Sequence, residues 1–386
     1  MVARGRYWAE AFRIRRSRGR RSGRLGRSID LIPKLVKFIN LPFAATTFLL
    51  FATRTVAAQP TDAASGHRAR LKQVAEIVLD PTGGVAVSFP VAVAVDSRGD
   101  LCWSQYGDPV LVFDSTGTSR ARVGSIGEGP GQYLGADLLT TDGEGNCVLF
   151  DGRLRKLISF RRSTIVDERR VAVEPALGFA VEANGQEYFL RKYDAGADSG
   201  AVLILDSRSK PVGERGPIPD AILLSRGLPG GGIGIGSSGT VFYSYMADHR
   251  IWSFRPESPT SNVIDKRPPY FVSVDTEEVK RIRQEYDRTR SVTPTIRYAA
   301  RVSRVEKLFV TDTDLVIQSI ATGVPRLDSP AEYYVEIFTA DGDHVGKSLT
   351  VPGPVVAASS DRIFVYDGSK VSDEQNPSLL VFEIVR

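Results

Sequence analysis

The sequence predicts an all-β chain, a six-bladed β-propeller of four-stranded antiparallel blades with a short helical insertion in the fifth blade. Two repeating landmarks and one shared exception carry that prediction. The apolar residue ending the third strand of each blade recurs at Phe113, Phe160, Leu205, Phe254, Phe338 and Phe382, at intervals of 47, 45, 49, 84 and 44 residues. The first hairpin corner recurs in step at Gly99, Gly145, Gly185, Gly239, Asp314 and Asp361, at intervals of 46, 40, 54, 75 and 47. A repeat of roughly 40 to 50 residues marks a propeller or another repeat array. Both landmarks stretch at the same place, ahead of the fifth unit.

The chain opens on a leader, residues 1–58. It holds 13 Lys/Arg against Glu10 and Asp30, and Arg4 to Arg27 is arginine-rich. The uncharged run 38–53 (FINLPFAATTFLLFAT) is followed by Val56-Ala57-Ala58. At 16 residues this run falls short of the roughly 20 that a spanning helix needs. It reads as a signal peptide cleaved after Ala58, with an uncleaved membrane anchor as the alternative. The expected location is therefore the periplasm or the exterior, and any membrane contact runs through this segment alone. The chain totals +5, but the leader accounts for +11 and residues 59–386 come to −6. The folded part therefore lacks the basicity that nucleic-acid binding favours.

Residues 59–73 form a polar spacer, and 74–386 form the propeller. Val74 to Leu79 is strand-like and precedes the first full blade, whereas the last blade ends the chain after three strands. The N-terminal strand is therefore expected to complete blade six, a closure that leaves no open edge on the ring. Asp96-Ser97-Arg98-Gly99 and Asp114-Ser115-Thr116-Gly117 are the corners of blade one. Blade two has every turn marked: Gly127-Glu128-Gly129-Pro130-Gly131 leads in, Asp142 to Gly145 makes the first hairpin, and Asp151-Gly152-Arg153 turns the chain again. Blade three replaces a tight turn with the loop Tyr193 to Gly200. Blade four carries Gly230-Gly231-Gly232-Ile233-Gly234-Ile235-Gly236, which lacks the following helix and Lys-Ser/Thr pair of a nucleotide loop. Such glycines in a strand mark close backbone approach near the axis.

The fifth unit's extra residues, about 272–300, include a helix. Asp275 is its cap with Glu278 as capping-box partner, and Val279, Ile282 and Tyr286 form an apolar stripe expected to pack on the propeller. The basic residues between Lys280 and Lys307 read as a solvated face, with a docking patch for an acidic partner as the alternative. Cys102 and Cys147 lie in the second strands of blades one and two, three and two residues past their corner glycines. Alternation sends them to opposite sheet faces, which predicts two buried thiols rather than a bridge.

GEGPGQY, then TTDGEGNCVLFD, then a basic-apolar strand ending in Phe, resembles the NHL-type repeat of six-bladed propellers in the TolB-like superfamily. The likeness is sharp in blade two, moderate in blades one, four and six, and weak in three and five. It implies the fold more than any one activity, since such propellers include protein- and RNA-binding modules, metal-dependent lactonases and a zinc lyase. It also implies that ligands meet the face bearing the loops between second and third strands. There the sequence places Asp108, Asp151, Asp194, Asp248 and Asp367, with Tyr106, Tyr193, Tyr245, His249 and Tyr366 nearby. These could be acceptors and aromatic platforms, or each Asp could hold its own turn or pair with a neighbour, as Arg153 and Arg250 suggest. Replacing Asp151, Asp248 and His249 together separates the two readings: binding is lost with the fold intact, or the protein unfolds.

With only His67, His249 and His344, a three-His zinc site is improbable. No axial Glu/Asn/Asp set stands out, and no Ser-His-Asp or Cys-His arrangement can be defended. No cofactor is expected, with calcium on aspartates alone left open. The expected function is an exported, monomeric, non-catalytic module that binds a protein, peptide or glycan on its rim. The alternative is a metal-dependent hydrolase of a lactone or ester.

Overall fold

The protein is described by a computed structural model covering residues 69–80, 86–96, 98–192, 199–219, 230–258, 260–291, 293–299, 301–323, 331–346, 348–367 and 376–386. The leader, most of the spacer, His67, Tyr193 and Asp194 lie outside the described residues. Six four-stranded antiparallel sheets follow one another. From the axis outward, blade one is Ala92–Val95, Leu101–Ser104, Val110–Phe113 and Ser119–Val123; blade two is Leu138–Thr141, Cys147–Asp151, Lys156–Arg161 and Thr164–Arg170. Blade three is Ala176–Val181, Glu187–Arg191, Val202–Leu205 and Pro211–Arg215; blade four is Gly231–Ile235, Val241–Tyr245, Ile251–Phe254 and Ser261–Ile264. Blade five is Ser303–Val310, Leu315–Thr322, Glu332–Thr339 and Leu349–Val351. Blade six is Val355–Ser359, Arg362–Asp367 and Ser378–Val385, and the N-terminal strand Arg70–Val78 is its fourth strand, paired from Arg70 opposite Val385 to Val78 opposite Ser378. The closure expected from the sequence is present.

The core is a set of blade-to-blade contacts. Trp103 and Phe113 of blade one pack against Phe364, Tyr366 and Val381 of blade six; Phe150 of blade two packs against Phe179 and Phe189 of blade three. Similar apolar layers fill the other four junctions. Each blade therefore buries both of its faces, which is why second strands such as CVLFD and VFYSY are buried at every residue.

Both sequence landmarks have a physical origin. Gly99, Gly145, Gly185 and Gly239 have φ between 75° and 85°, and Asp314 has φ 57°, the left-handed conformation these corners need. In blade six that conformation falls on Ser360 (φ 53°), one residue before the expected Asp361. The recurring aromatic or leucine sits at a register shift between third and fourth strands in blades one, two and three, at Val112/Phe113, Ser159/Phe160 and Ile204/Leu205. In blade six Phe382 faces the shift between Gln73 and Ala75. A bulge there sharpens the twist that carries the outer strand across its neighbour.

The two cysteines correct the sequence reading, because Cys102 and Cys147 form a disulfide with Cα atoms 6.6 Å apart. Opposite faces exclude bridging within one sheet. In a ring, however, the front of one blade packs on the back of the next, so residues on opposite faces of adjacent blades are the ones that meet. Both sulfurs lie in the layer formed by Ala94, Val112, Tyr133 and Leu149 between blades one and two.

The GEGPGQY connector serves the same junction. The Tyr133 hydroxyl donates to Val123 O (2.8 Å) and accepts from Val110 N (2.6 Å), while Lys156 Nζ donates to Gly129 O and Gln132 O, both at 3.0 Å. Tyr133→Phe keeps the ring but strands a buried N–H and C=O, so an equilibrium denaturation should record a loss of about 2 kcal/mol. The glycines of blade four behave as expected for close approach. A Cβ on Gly232 would lie 2.7 Å from Leu308 N, and one on Gly234 would lie 2.7 Å from Val310 Cγ2, both in blade five.

The helical insertion lies in the connection entering blade five, as α1 (Thr276–Thr289) and α2 (Thr293–Ala299). Asp275 caps α1, accepting from Glu277 N (2.9 Å) and Glu278 N (3.3 Å). The expected capping-box partner differs: the Asp275 amide donates to the Tyr298 hydroxyl (2.5 Å), and Glu278 pairs with Arg281 and Arg301 instead. Val279 and Ile282 are buried on Met246 and Ala247 with Tyr298 and Val302, whereas Tyr286 stays at the surface beside Arg283 and Arg290. Lys280, Arg281, Arg283, Arg290 and Arg301 all have acidic partners, as a solvated face should.

Candidate functional site

Antiparallel order puts the first and third hairpins of every blade at one end of its strands, and the second-to-third loops with the blade-to-blade connections at the other. Of the predicted site residues, Tyr193 and Asp194 lie outside the described residues; the others belong to this second, loop face and part into two groups.

The blade four sector is closed. Asp248 is buried, with Arg250 donating from its backbone N (3.0 Å), Nε (3.0 and 3.1 Å) and Nη2 (2.6 Å). His249 Nε2 meets Asp265 Oδ1 at 2.8 Å, and its ring lies against Phe271. Tyr245 is 0% exposed in the layer between blades three and four, with its hydroxyl pKa raised by burial, so it is a core side chain and not a rim platform. The helices α1 and α2 cover the following residues, Met246 and Ala247.

Asp151 is also 0% exposed. Its Oδ2 accepts from Leu134 N (2.6 Å) and Gly135 N (3.3 Å), and its Oδ1 accepts from Arg153 N (2.8 Å) and Leu154 N (3.0 Å). Its carboxylate thus latches the connection from blade one to the turn of blade two. Substitution of Asp151 should therefore unfold rather than merely disarm the protein. Asp137, which the sequence gave no reason to single out, lies beside it. Burial raises the Asp137 carboxyl pKa, as does the charge of Asp151, against the opposing pull of Arg153, the Gly152 amide and Lys192.

The sector where blade six meets blade one is open. Tyr106 is 76% exposed and Phe89 is 59% exposed. Phe89 sits edge-on to Tyr366 at 5.0 Å between ring centroids, and Tyr366 lies 6.1 Å from Trp103. Buried Gln105 fixes the arrangement: Oε1 accepts from Ser88 N (2.8 Å), and Nε2 donates to Ala86 O (2.9 Å) and Asp108 Oδ2 (3.1 Å). Phe89 follows Ser88 and Tyr106 follows Gln105, so this network keeps two exposed rings in one neighbourhood. Asp108 and Asp367 are half-buried at its border. Sequence reasoning found Tyr106, Asp108, Tyr366 and Asp367 but missed Phe89 and Gln105, since an aromatic just ahead of a strand reads equally well as its first buried residue.

Two other features carry less chemistry. A hollow of about 220 Å³ on blade two is lined by Glu128, Gly129, Pro130, Lys156, Glu168, Arg169 and Arg170. It lies in the blade's outer half, and its lysine is occupied by two carbonyls and by Glu168 at 2.7 Å. Among the described residues no group of three or more His, Cys, Asp or Glu is placed to hold a metal ion. His344 is paired with buried Glu336, apart from His249.

No family model and no curated protein sequence matches the chain. Its structure is similar to that of a Bacteroides vulgatus member of the DUF4221 family, with a TM-score of 0.59 at 9% identity over 83% of this chain and 99% of that one. It is also similar to a Bacteroides fragilis protein named for its expected export, with a TM-score of 0.55 at 12% identity over 84% of this chain and 98% of that one. A Xanthomonas campestris gluconolactonase is more distant, with a TM-score of 0.42 at 15% identity over 76% of this chain and 85% of that one. The likeness to the two Bacteroides structures shows the fold that they share with this chain. No helix among the described residues is long and apolar enough to cross a membrane.

Proposed function

We propose that the chain is an exported, non-catalytic binding propeller that holds a protein, peptide or glycan partner on the open sector of its loop face. The observation that carries this reading is the pair of exposed rings, Phe89 and Tyr106, held by the Gln105 network beside Asp108 and Asp367. Exposed aromatic surface on a rigid frame suits recognition: a ring buries a large area at little entropic cost and is costly to leave in water without a purpose. Export is supported by the leader, by the fully enclosed disulfide, which is at home in an oxidising compartment, and by the fold's likeness to a protein named for export.

Peptide and glycan arrays probed with residues 59–386 test the reading. Phe89→Ala with Tyr106→Ala should weaken binding of whichever probe is retained by about 2 kcal/mol or more, with the melting temperature nearly unchanged because both rings are exposed. Retention that survives the double substitution would move the site elsewhere. Turnover in a lactone and ester screen would replace the reading with that of a hydrolase.

A further inference from the structure

Five of the six innermost strands carry no ionisable side chain: they read AVAV, LLTT, ALGFAV, GGIGI and VVAAS. The sixth, SRVEKLFV of blade five, carries Arg304, Glu306 and Lys307. Two of these satisfy each other. Arg304 donates to Glu306 Oε1 from Nε (3.0 Å) and Nη2 (2.8 Å), and its Nη1 donates to Gly323 O (2.8 Å).

Lys307 is different. Glu306 is the extra residue of a bulge between Val305 and Lys307, and beyond it Lys307 stands directly opposite Ser319. The two share the sheet face of Phe309 and Ile317, which looks toward blade six. Cross-strand neighbours on one face hold their Cβ atoms about 5 Å apart. Among the described residues the Lys307 ammonium has no hydrogen-bond or ion-pair partner. The Ser319 hydroxyl is 0% exposed and has no partner either. Blade six presents Val355, Ala358, Ile363 and Val365 to this face, and none of these side chains accepts a hydrogen bond. Lys307 is half-buried on the innermost strand of blade five. Burial also lowers its pKa, only partly offset by Glu306.

Two donors without an acceptor, set in apolar surroundings, define what they lack. We propose that Lys307 and Ser319 form an anion subsite at the inner end of the junction between blades five and six, and that it takes a small carboxylate. One carboxylate oxygen pair can accept from the ammonium and the hydroxyl together, and a charge-assisted hydrogen bond is strongest where water is scarce. A cation has nothing to meet there, since Glu306 is occupied by Arg304. Bulges recur beside functional sites because they re-aim a side chain. The subsite is independent of the aromatic sector on the loop face.

The test is calorimetric titration of residues 59–386 with sodium acetate at constant ionic strength, and with acetamide as the uncharged isostere. Acetate should bind saturably and acetamide should not. Lys307→Met should weaken acetate by about 10- to 100-fold, with a smaller loss in Ser319→Ala. Lys307→Met removes no native partner, so it should melt at or above the wild-type temperature, which confirms that a lost response is not unfolding. The proposal is overturned if acetate gives no saturable heat, if Lys307→Met binds acetate as the wild type does, or if acetamide binds equally well.

Discussion

Replacing Cys102 and Cys147 with alanine should cost about 4 kcal/mol of stability, from the entropy of a closed loop spanning a sequence separation of 45 residues. The bond ties the second strand of blade one to that of blade two, so its loss frees a whole blade's length of chain in the unfolded state. Denaturant titrations of both single variants and the double variant should nearly coincide, since each removes the same bond. At 2% and 4% exposure the two residues are sealed in the core. Reductant should therefore leave the native protein oxidised, and alkylation should appear only under unfolding conditions. A double variant within 1 kcal/mol of wild type, a margin well under the usual range for native disulfides, would mean that the bond is not formed in the purified protein.

Arg169→Met should be nearly as damaging. Glu187 is 0% exposed in the second strand of blade three, and Arg169 reaches it from the outer strand of blade two. Ser209 completes the network, accepting from Arg169 Nε at 2.8 Å and donating to Glu187 Oε2 at 3.1 Å. Burial pushes the Glu187 carboxyl above its ordinary pKa, and the guanidinium restrains that rise. Removing the cation leaves a buried charge unpaired, at a cost of about 3 to 5 kcal/mol. The sign follows from linkage. A carboxyl whose folded-state pKa is raised contributes its full stability below the unfolded value, near 4.3, and loses it as pH rises through the folded value. Arg169→Met should therefore be closest to wild type in acid and fall away toward neutrality, and Arg169→Met with Glu187→Met should recover most of the loss. An Arg169→Met deficit that does not change with pH would show that the arginine acts by packing its stem.

The blades were legible because a turn needs particular residues wherever it falls. Gly99, Gly145, Gly185 and Gly239 could be found without knowing what lay beside them. What lay beside them was not legible. Cys102 and Cys147 sit in two different blades on opposed sheet faces, and that opposition argues against a bridge only until one knows that the front of one blade stacks on the back of the next. Asp151 had the look of a rim acceptor, and only the path of Leu134 and Gly135 across the junction makes it a latch. Tyr245 closes its strand as Tyr366 nearly closes its own, and nothing local to either shows that α1 and α2 cover the residues after one while Phe89 flanks the other. The pairing of Lys307 with Ser319 needs the register of two strands and the bulge at Glu306, neither of which composition reveals.

The seam in blade six has a consequence for how the molecule is made. Among the described residues Arg70–Val78 is the first strand, and it pairs with Ser378–Val385, the last. A chain that folds as it is made leaves that strand unpaired until the strand Ser378–Val385 has followed it. Val74 and Val78 remain exposed even in the finished ring, so the waiting segment is a sticky edge until the ring closes. Ring closure is then a late, long-range step that joins the two ends of the propeller's chain.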